Sequence, residues 1–572
     1  MARYRLIPVA SAVLAGLLSS AAAEAGSVTL AWDPNSEADL AGYIVSWGTS
    51  PGSYSASLNA GLQTAWTVPN LPNGVRYYFA VQAYNIAGLR SDYSEEVSTI
   101  VTDQPITIDD WLAKFGVSDL AADDDGDGVT NAAEYDARTD PTVPNTWILA
   151  EGATGFFQER IALANPGTDP ARVAVTFIKD AGAPISREYS VGARGRVTVN
   201  VNQIPGLESA SVSAVINTLE GGVVPERTLL WSDNGGAPYA GHTGKALQRA
   251  LNEWYFAEGD ANTFETWLLF VNATSDPATV DVTYMPEGSD PVRKTYLVAA
   301  SSRFTVYTNQ VPELRGRSFA TLVNSSRPIT AERSMYQSAR NRFWKIGHAA
   351  AGVEAPSTSW FVAEGCTAWM FDEYLLLANP NAQATMAQIR FLLPSGQSIE
   401  RSHVLTANSR TTVWVDGVPG LSSSDVSAAI TADLPIVVER SMYWPAGAWH
   451  EGHASAGVTR AGVKWALAAG ENGGPSGHES YVLIANPGDG AATIRVTLLP
   501  AEGTAAAPKL YTVSPRSRFT LGPRELADGG RQFGVLVESV NEAPIVVERS
   551  MYWNALNTLW SAGTNETGVR LR

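Results

Sequence analysis

The sequence predicts an all-β, multidomain protein. Apolar and polar residues alternate with period two in short runs bounded by turn residues, the pattern of half-buried strands. A segment of about 105 residues recurs four times beyond residue 145. The 572 residues exceed what one hydrophobic core supports, and 50 Gly with 32 Pro supply the turns that many short strands need.

Charge narrows the function classes. The formal net charge is −17, and no Lys/Arg run interrupts it. Nucleic-acid and anionic-membrane partners call for basic faces, so neither is expected. An acidic chain suits contact with divalent cations.

Residues 1–25 read as a signal peptide. Arg3 and Arg5 form its basic start, and Leu6 to Leu18 its apolar stretch, interrupted by Pro8. Ala21-Ala22-Ala23 or Ala23-Glu24-Ala25 supplies the small-residue cleavage site. The apolar stretch is short for a bilayer span. The expectation is export, with the mature chain secreted or on the cell surface and carrying no membrane span. The single cysteine, Cys366, leaves no intramolecular disulfide.

Residues 26–103 alternate as a β-sandwich does. Val28, Leu30 and Trp32 share one strand face; Tyr43, Val45 and Trp47 share another; Tyr77, Phe79, Val81 and Ala83 share a third. The runs from Val28 to Trp32, Gly42 to Trp47, Leu71 to Tyr77 and Tyr78 to Gly88 resemble a fibronectin type III domain. Trp32 matches that family's core Trp. Leu71 and Tyr77 match its corner, with Asn73 one step beyond the usual Pro. The resemblance implies a sandwich and no particular ligand.

Residues 104–144 form an acidic linker, with a short helix predicted near Ile108 to Phe115. Asp123, Asp125 and Asp127 then occupy positions 1, 3 and 5 of a twelve-residue loop. Gly128 is at 6, Val129 at 7, Asn131 at 9 and Glu134 at 12. Calcium needs six to eight hard oxygens, and this spacing converges carboxylates, the Val129 carbonyl, Asn131 and a bidentate Glu134 on one point. With Thr139-Asp140-Pro141 following, the segment resembles a thrombospondin type 3 calcium repeat more than a paired EF-hand. Ca2+ is the one cofactor expected.

The four repeats are assigned to residues 145–253, 254–359, 360–464 and 465–572. They open at Trp147, Trp254, Trp360 and Trp465. An Asn recurs at 165, 272, 379 and 486; an Arg at 196, 303, 410 and 518; and a Glu-Arg pair at 226–227, 332–333, 439–440 and 548–549. Gly-His recurs at His242, His348 and His453, with Gly563-Thr564 in the fourth. The length fits an Ig-like β-sandwich, so the expected arrangement is beads on a string, each with its own core. The repeats resemble tandem units of large exported bacterial proteins, which implies secretion and modularity. The fourth departs by placing Ala469 where the others have Glu.

No catalytic set emerges. A site copied four times points to structure, so the Glu-Arg pairs read as buried polar networks, with one member expected to bond within its own repeat. His450-Glu451-Gly452-His453 lacks zincin spacing on a helix, and Ser455 lacks a nucleophile elbow. The expectation is a non-enzymatic scaffold or adhesion protein with a calcium-stabilised joint. The alternatives are an extracellular polysaccharide binder using exposed aromatics, for which Trp369, Trp414 and Trp449 are candidates, and an accessory part of a secreted hydrolase system.

Overall fold

The computed structural model describes residues 25–571 except 36, 38, 73–74, 101–107, 181 and 233–235. The expected signal peptide and Asn73 lie outside these residues, apart from Ala25. The chain divides into two compact units, one ending at residue 118 and one beginning at residue 119, with the short turn 168–170 grouped with the first.

The N-terminal unit is a β-sandwich. Ala25–Ala31 pairs with Ala65–Pro72, and a second sheet runs in the order Ala56–Gly61, Leu40–Gly48, Arg76–Asn85, Val97–Ile100. Alternation places Leu30, Trp32, Tyr43, Val45, Leu71, Tyr77 and Phe79 in one core. Trp32 meets Tyr43 edge to face at 5.5 Å, the offset that aromatic quadrupoles favour. A helix, Ile108–Phe115, follows and buries Trp111.

The second unit holds the acidic loop and all four repeats. Each repeat is a sandwich. In the first, one sheet runs Ile185–Val191, Ala171–Lys179, Val212–Glu220, Thr146–Leu149. The other runs Arg196–Asn200, Phe157–Ala164, Val224–Trp231, Ala240–Lys245. In the second and third repeats a single long strand, Phe319–Ala339 or Ser427–Trp444, serves both sheets. The four opening tryptophans are 0–1% exposed and each anchors a separate core.

The repeats are not separate beads. The last long strands of the four sandwiches are Ala240–Lys245, Arg342–Ala351, Glu451–Ala456 and Thr558–Thr567. Each packs against its counterparts in both neighbouring repeats, and the fourth returns to the first. The unit is a closed four-part ring with these strands at its centre. Their composition explains the packing. All six residues of Glu451–Ala456 are buried, although the strand lies at the edge of its own sheet. Small side chains such as Ala349, Ala350, Ala454 and Ala562 let neighbouring strands approach. Gly347 leaves room for Trp231 of the preceding repeat; a Cβ there would meet that indole at 2.5 Å.

One side chain records the closure. The Lys345 ammonium, in the second repeat, donates to the Tyr239 carbonyl of the first (3.0 Å) and the Ser561 carbonyl of the fourth (2.7 Å). It also pairs with Glu451 of the third. A buried ammonium requires such full satisfaction, and the other three repeats supply it.

Candidate metal site and the buried charge ring

The recurrent Glu-Arg pairs sit at the repeat boundaries. Strand neighbours face opposite ways, and both faces here are interfaces. Arg227 of the first repeat donates to Glu332 of the second at 2.7 Å, and also to the Glu151 carboxylate at 2.7 Å and the Glu151 carbonyl at 2.8 Å. Arg333 bonds Glu439 of the third repeat and, at 2.8 Å, its own repeat's Glu258. Arg440 approaches Glu548 at 3.7 Å but gives its closest bond, 2.8 Å, to Asn565 of the fourth repeat. Arg549 closes the circle by bonding Glu226 of the first. Each Glu also accepts a backbone N–H of the preceding repeat, as Glu332 does from Ala150 at 2.6 Å. Within the repeat the partner is Glu151 or Glu258, in place of the recurrent Arg or Asn that the sequence suggested, and a second bond reaches the next repeat.

Further recurrent residues complete the first two boundaries. Tyr336 and Ser334 donate to Glu151, and Tyr443 and Ser441 to Glu258. His242 and His348 meet those tyrosines at 3.0 and 3.1 Å. Burial pushes the His348 imidazole down to about 4, against the pull of Glu258, so it is neutral at pH 7 and bonds as a packed histidine. Burial opposes the Arg227 charge, but Glu332 and Glu151 more than offset that and hold it protonated. The other recurrent Arg reaches backwards: Arg410 donates to the Gly259 carbonyl (3.1 Å), and Arg196 to Gly470 (3.1 Å). The recurrent Asn works inside its repeat. Asn379, for example, donates to the carbonyls of Gln383, Leu405 and Thr406.

The residues set aside in the sequence are structural. His453 and Ser455 lie on a strand, where Ser455 accepts from Arg440 and donates to Glu548. Cys366 is half-buried, and burial pushes its thiol up.

The acidic loop has the form of a cation site. One ligand atom each from Asp123, Asp125 and Asp127 lies within 4.8 Å of the others. Gly128 adopts φ 93°, the left-handed turn that its loop position requires. Thr130 caps the helix Asn131–Ala137, which delivers the fully buried Glu134. Buried oxygens of Asp125 (Oδ2), Glu134 (Oε2) and Asn145 (Oδ1) have no hydrogen-bond partner. Three oxygen acceptors left unpaired within one short segment suit a hard cation. Burial and neighbouring carboxylates push Asp125 up to about 9; burial foremost pushes Glu134 up to about 8. The Val129 N–H donates to Asp127 at 2.8 Å.

Two features differ from the expected ligand set. The Asn131 side chain is held by Asp119 (2.6 Å) and Asp124 (2.7 Å), bracing the loop from outside instead of entering it. Asn145, at the threshold of the first repeat, was missed. It donates to Glu134 (2.7 Å), and its backbone N–H donates to Asp127 (2.7 Å). Eleven residues beyond the loop's last position, it lies outside any loop pattern. The segment is further tied to the repeat by Asp140 to Gly221 and Gly221 to Arg138 backbone bonds.

Residues 16–100 match the fibronectin type III domain family. The N-terminal sandwich is such a domain. No curated protein matches the chain. Solved structures with local similarity include Thermotoga maritima 1070, with 14% identity over 18% of this chain and 94% of that one, at a TM-score of 0.17. Titin module A71 from human cardiac muscle shows 26% identity over 18% and 93%, at 0.14. The Anabaena sensory rhodopsin transducer shows 26% over 14% and 93%, at 0.14.

Two outcomes test the charge ring. Arg333→Ala strands Glu258 and Glu439 without their cation, and is expected to cost about 3–5 kcal/mol in denaturant unfolding; a loss below ~1 kcal/mol would match a surface arginine instead. Glu159, buried on the strand Phe157–Ala164 of the first repeat, is pushed up to about 8, mainly by burial and against Arg227. Its folded value lies above its unfolded one, so its contribution is complete below about pH 4.5 and is lost as pH rises through 8. Glu159→Gln, which keeps the protonated shape, should therefore be more stable than the parent by over ~1 kcal/mol at pH 9. Equal stability of the two proteins at pH 9 would contradict this.

Proposed function

We propose that this is an exported, non-enzymatic scaffold or adhesion protein, in which calcium fastens the acidic segment to the ring. The observation that carries the calcium reading is the trio of buried, unpaired oxygens on Asp125, Glu134 and Asn145, beside the converging Asp123 and Asp127. Asp123, Asp125, Asp127, the Val129 carbonyl and Glu134 would hold the ion, with Asn145 linking the site to the first repeat. The ion's role is electrostatic: it offsets carboxylates that otherwise repel one another or take up protons. Ordering a segment next to a fibronectin type III domain stiffens the passage from that domain to the ring.

The scaffold reading is supported by the chain's construction from sandwiches, by recurrent polar residues spent on repeat boundaries, and by the basic-apolar-small pattern of the first 25 residues. The carbohydrate reading has one observation in its favour: Trp369 and Trp414 are 69% and 53% exposed. Trp449 instead stacks on Tyr443 at 4.7 Å and donates to Asp372. Trp369 and Trp414 belong to different elements, so the scaffold reading is preferred.

Calorimetric titration of the mature chain with calcium, beside Asp125→Ala, tests the proposal. The expected result is one site, with a dissociation constant on the order of 10⁻⁴ to 10⁻³ M, absent in the variant. Calcium should also protect residues 104–144 from protease. No binding, or binding that leaves cleavage unchanged, would refute the calcium-fastened segment.

A further inference from the structure

The inner strands end, in all four repeats, around a common cavity of about 640 Å³. Its size is that of a small-molecule pocket. Its charge runs against the rest of the molecule. The chain is −17 overall, yet the charged residues lining this cavity are Lys245, Arg249, Arg460, Arg570, Glu354 and Asp125, four cations against two anions.

The pairing within that set is uneven. Arg249 is committed to Glu354 at 2.8 Å. The side chains of Arg460 and Arg570, both exposed, have no hydrogen bond or ion pair among the described residues. They come from the third and fourth repeats, which are neighbours in sequence as well as in the ring. Partial burial, and then the neighbouring Arg460, pull Arg570 below its ordinary value. Elsewhere in this ring buried guanidiniums are met by carboxylates or carbonyls. These two are exposed and line the open cavity together with Trp147, Trp360 and Trp465.

We infer that this axial cavity binds a small anion carrying two or more carboxylate, phosphate or sulfate oxygens between Arg460 and Arg570. Guanidinium forks match such oxygens in bidentate fashion, and two of them lining one cavity add their fields at an anion held between them. The two arginines meet at the boundary between the third and fourth repeats, whereas the rest of the cavity wall draws on all four.

The test is calorimetry of the full chain with sodium sulfate and with sodium succinate. The comparison variants are Arg460→Gln, Arg570→Gln and a control, Arg187→Gln, on the outer strand Ile185–Val191. One equivalent of anion should bind, about tenfold more weakly in each cavity variant and unchanged in the control. Thr459→Glu, which adds a carboxylate to the cavity wall and removes no guanidinium, should weaken binding as well, and so separates loss of the site from loss of the fold. Absence of binding to either anion up to roughly 10 mM, or equal binding by parent and cavity variants, would overturn the assignment.

Discussion

The ion pair that an arginine of one repeat makes with a glutamate of the next is the interaction on which the second unit depends. A buried guanidinium beside an unanswered glutamate is costly, and a pair is tolerated only when hydrogen bonds satisfy the remaining groups. Each repeat carries one half of two such pairs: its Glu faces backwards and its Arg forwards. A single repeat in isolation would expose both halves. An open row of four would strand Glu226 at one end and Arg549 at the other. Bringing those two together leaves no half unmatched, so closure follows from the same chemistry that joins neighbours.

The four boundaries are not identical, and their differences are concerted. Where the first two boundaries use Glu151 or Glu258 with a His, a Ser and a Tyr, the boundary between the fourth and first repeats has Ala469, Thr564, Thr228 and Leu230 at the matching places. The acceptor carboxylate is missing there, and so are the His and Tyr that accompany it, while Thr228 keeps the hydroxyl. Glu226 instead accepts from the Ala468 and Ala469 N–H groups (3.1 and 3.0 Å), and Thr243 meets Thr564. Removing one donor alone would leave a buried acceptor unpaired; removing the set together does not. The boundary where the chain's last repeat meets its first thus has its own chemistry, which distinguishes correct closure from a shifted register.

Much of the fold was legible because its signals are local. Period-two alternation marks the strands, and recurrent Trp, Asn and Glu-Arg positions mark the repeats. The tryptophans and asparagines were readable as interior because each acts within one sandwich. The Glu-Arg pairs were readable as buried but not as boundary residues, since adjacency on a strand fixes that two side chains diverge and not what each meets. The departures at Ala469 and Thr564 were visible in the sequence; that they oppose Thr228 and Leu230, some 240 to 340 residues earlier, requires the ring. At the acidic loop, spacing identified Asp123, Asp125, Asp127 and Glu134. It placed Asn131 inside by position alone, whereas Asp119 and Asp124 hold that amide outside. Asn145 carries no loop signal.

Closure ties the ring's parts to one another. The axial Lys345 bonds and the Arg549–Glu226 pair both need the fourth repeat to touch the first. The most direct measurement is oxidation of a cysteine pair placed at Thr243 and Thr564, in a Cys366→Ser background. Their hydroxyls lie 2.6 Å apart although 321 residues separate them. The closed ring predicts an intrachain disulfide that forms in the folded monomer and speeds its migration under non-reducing denaturing conditions. Two free thiols, or cross-links only between chains, would show that the first and fourth repeats do not meet and would contradict the ring.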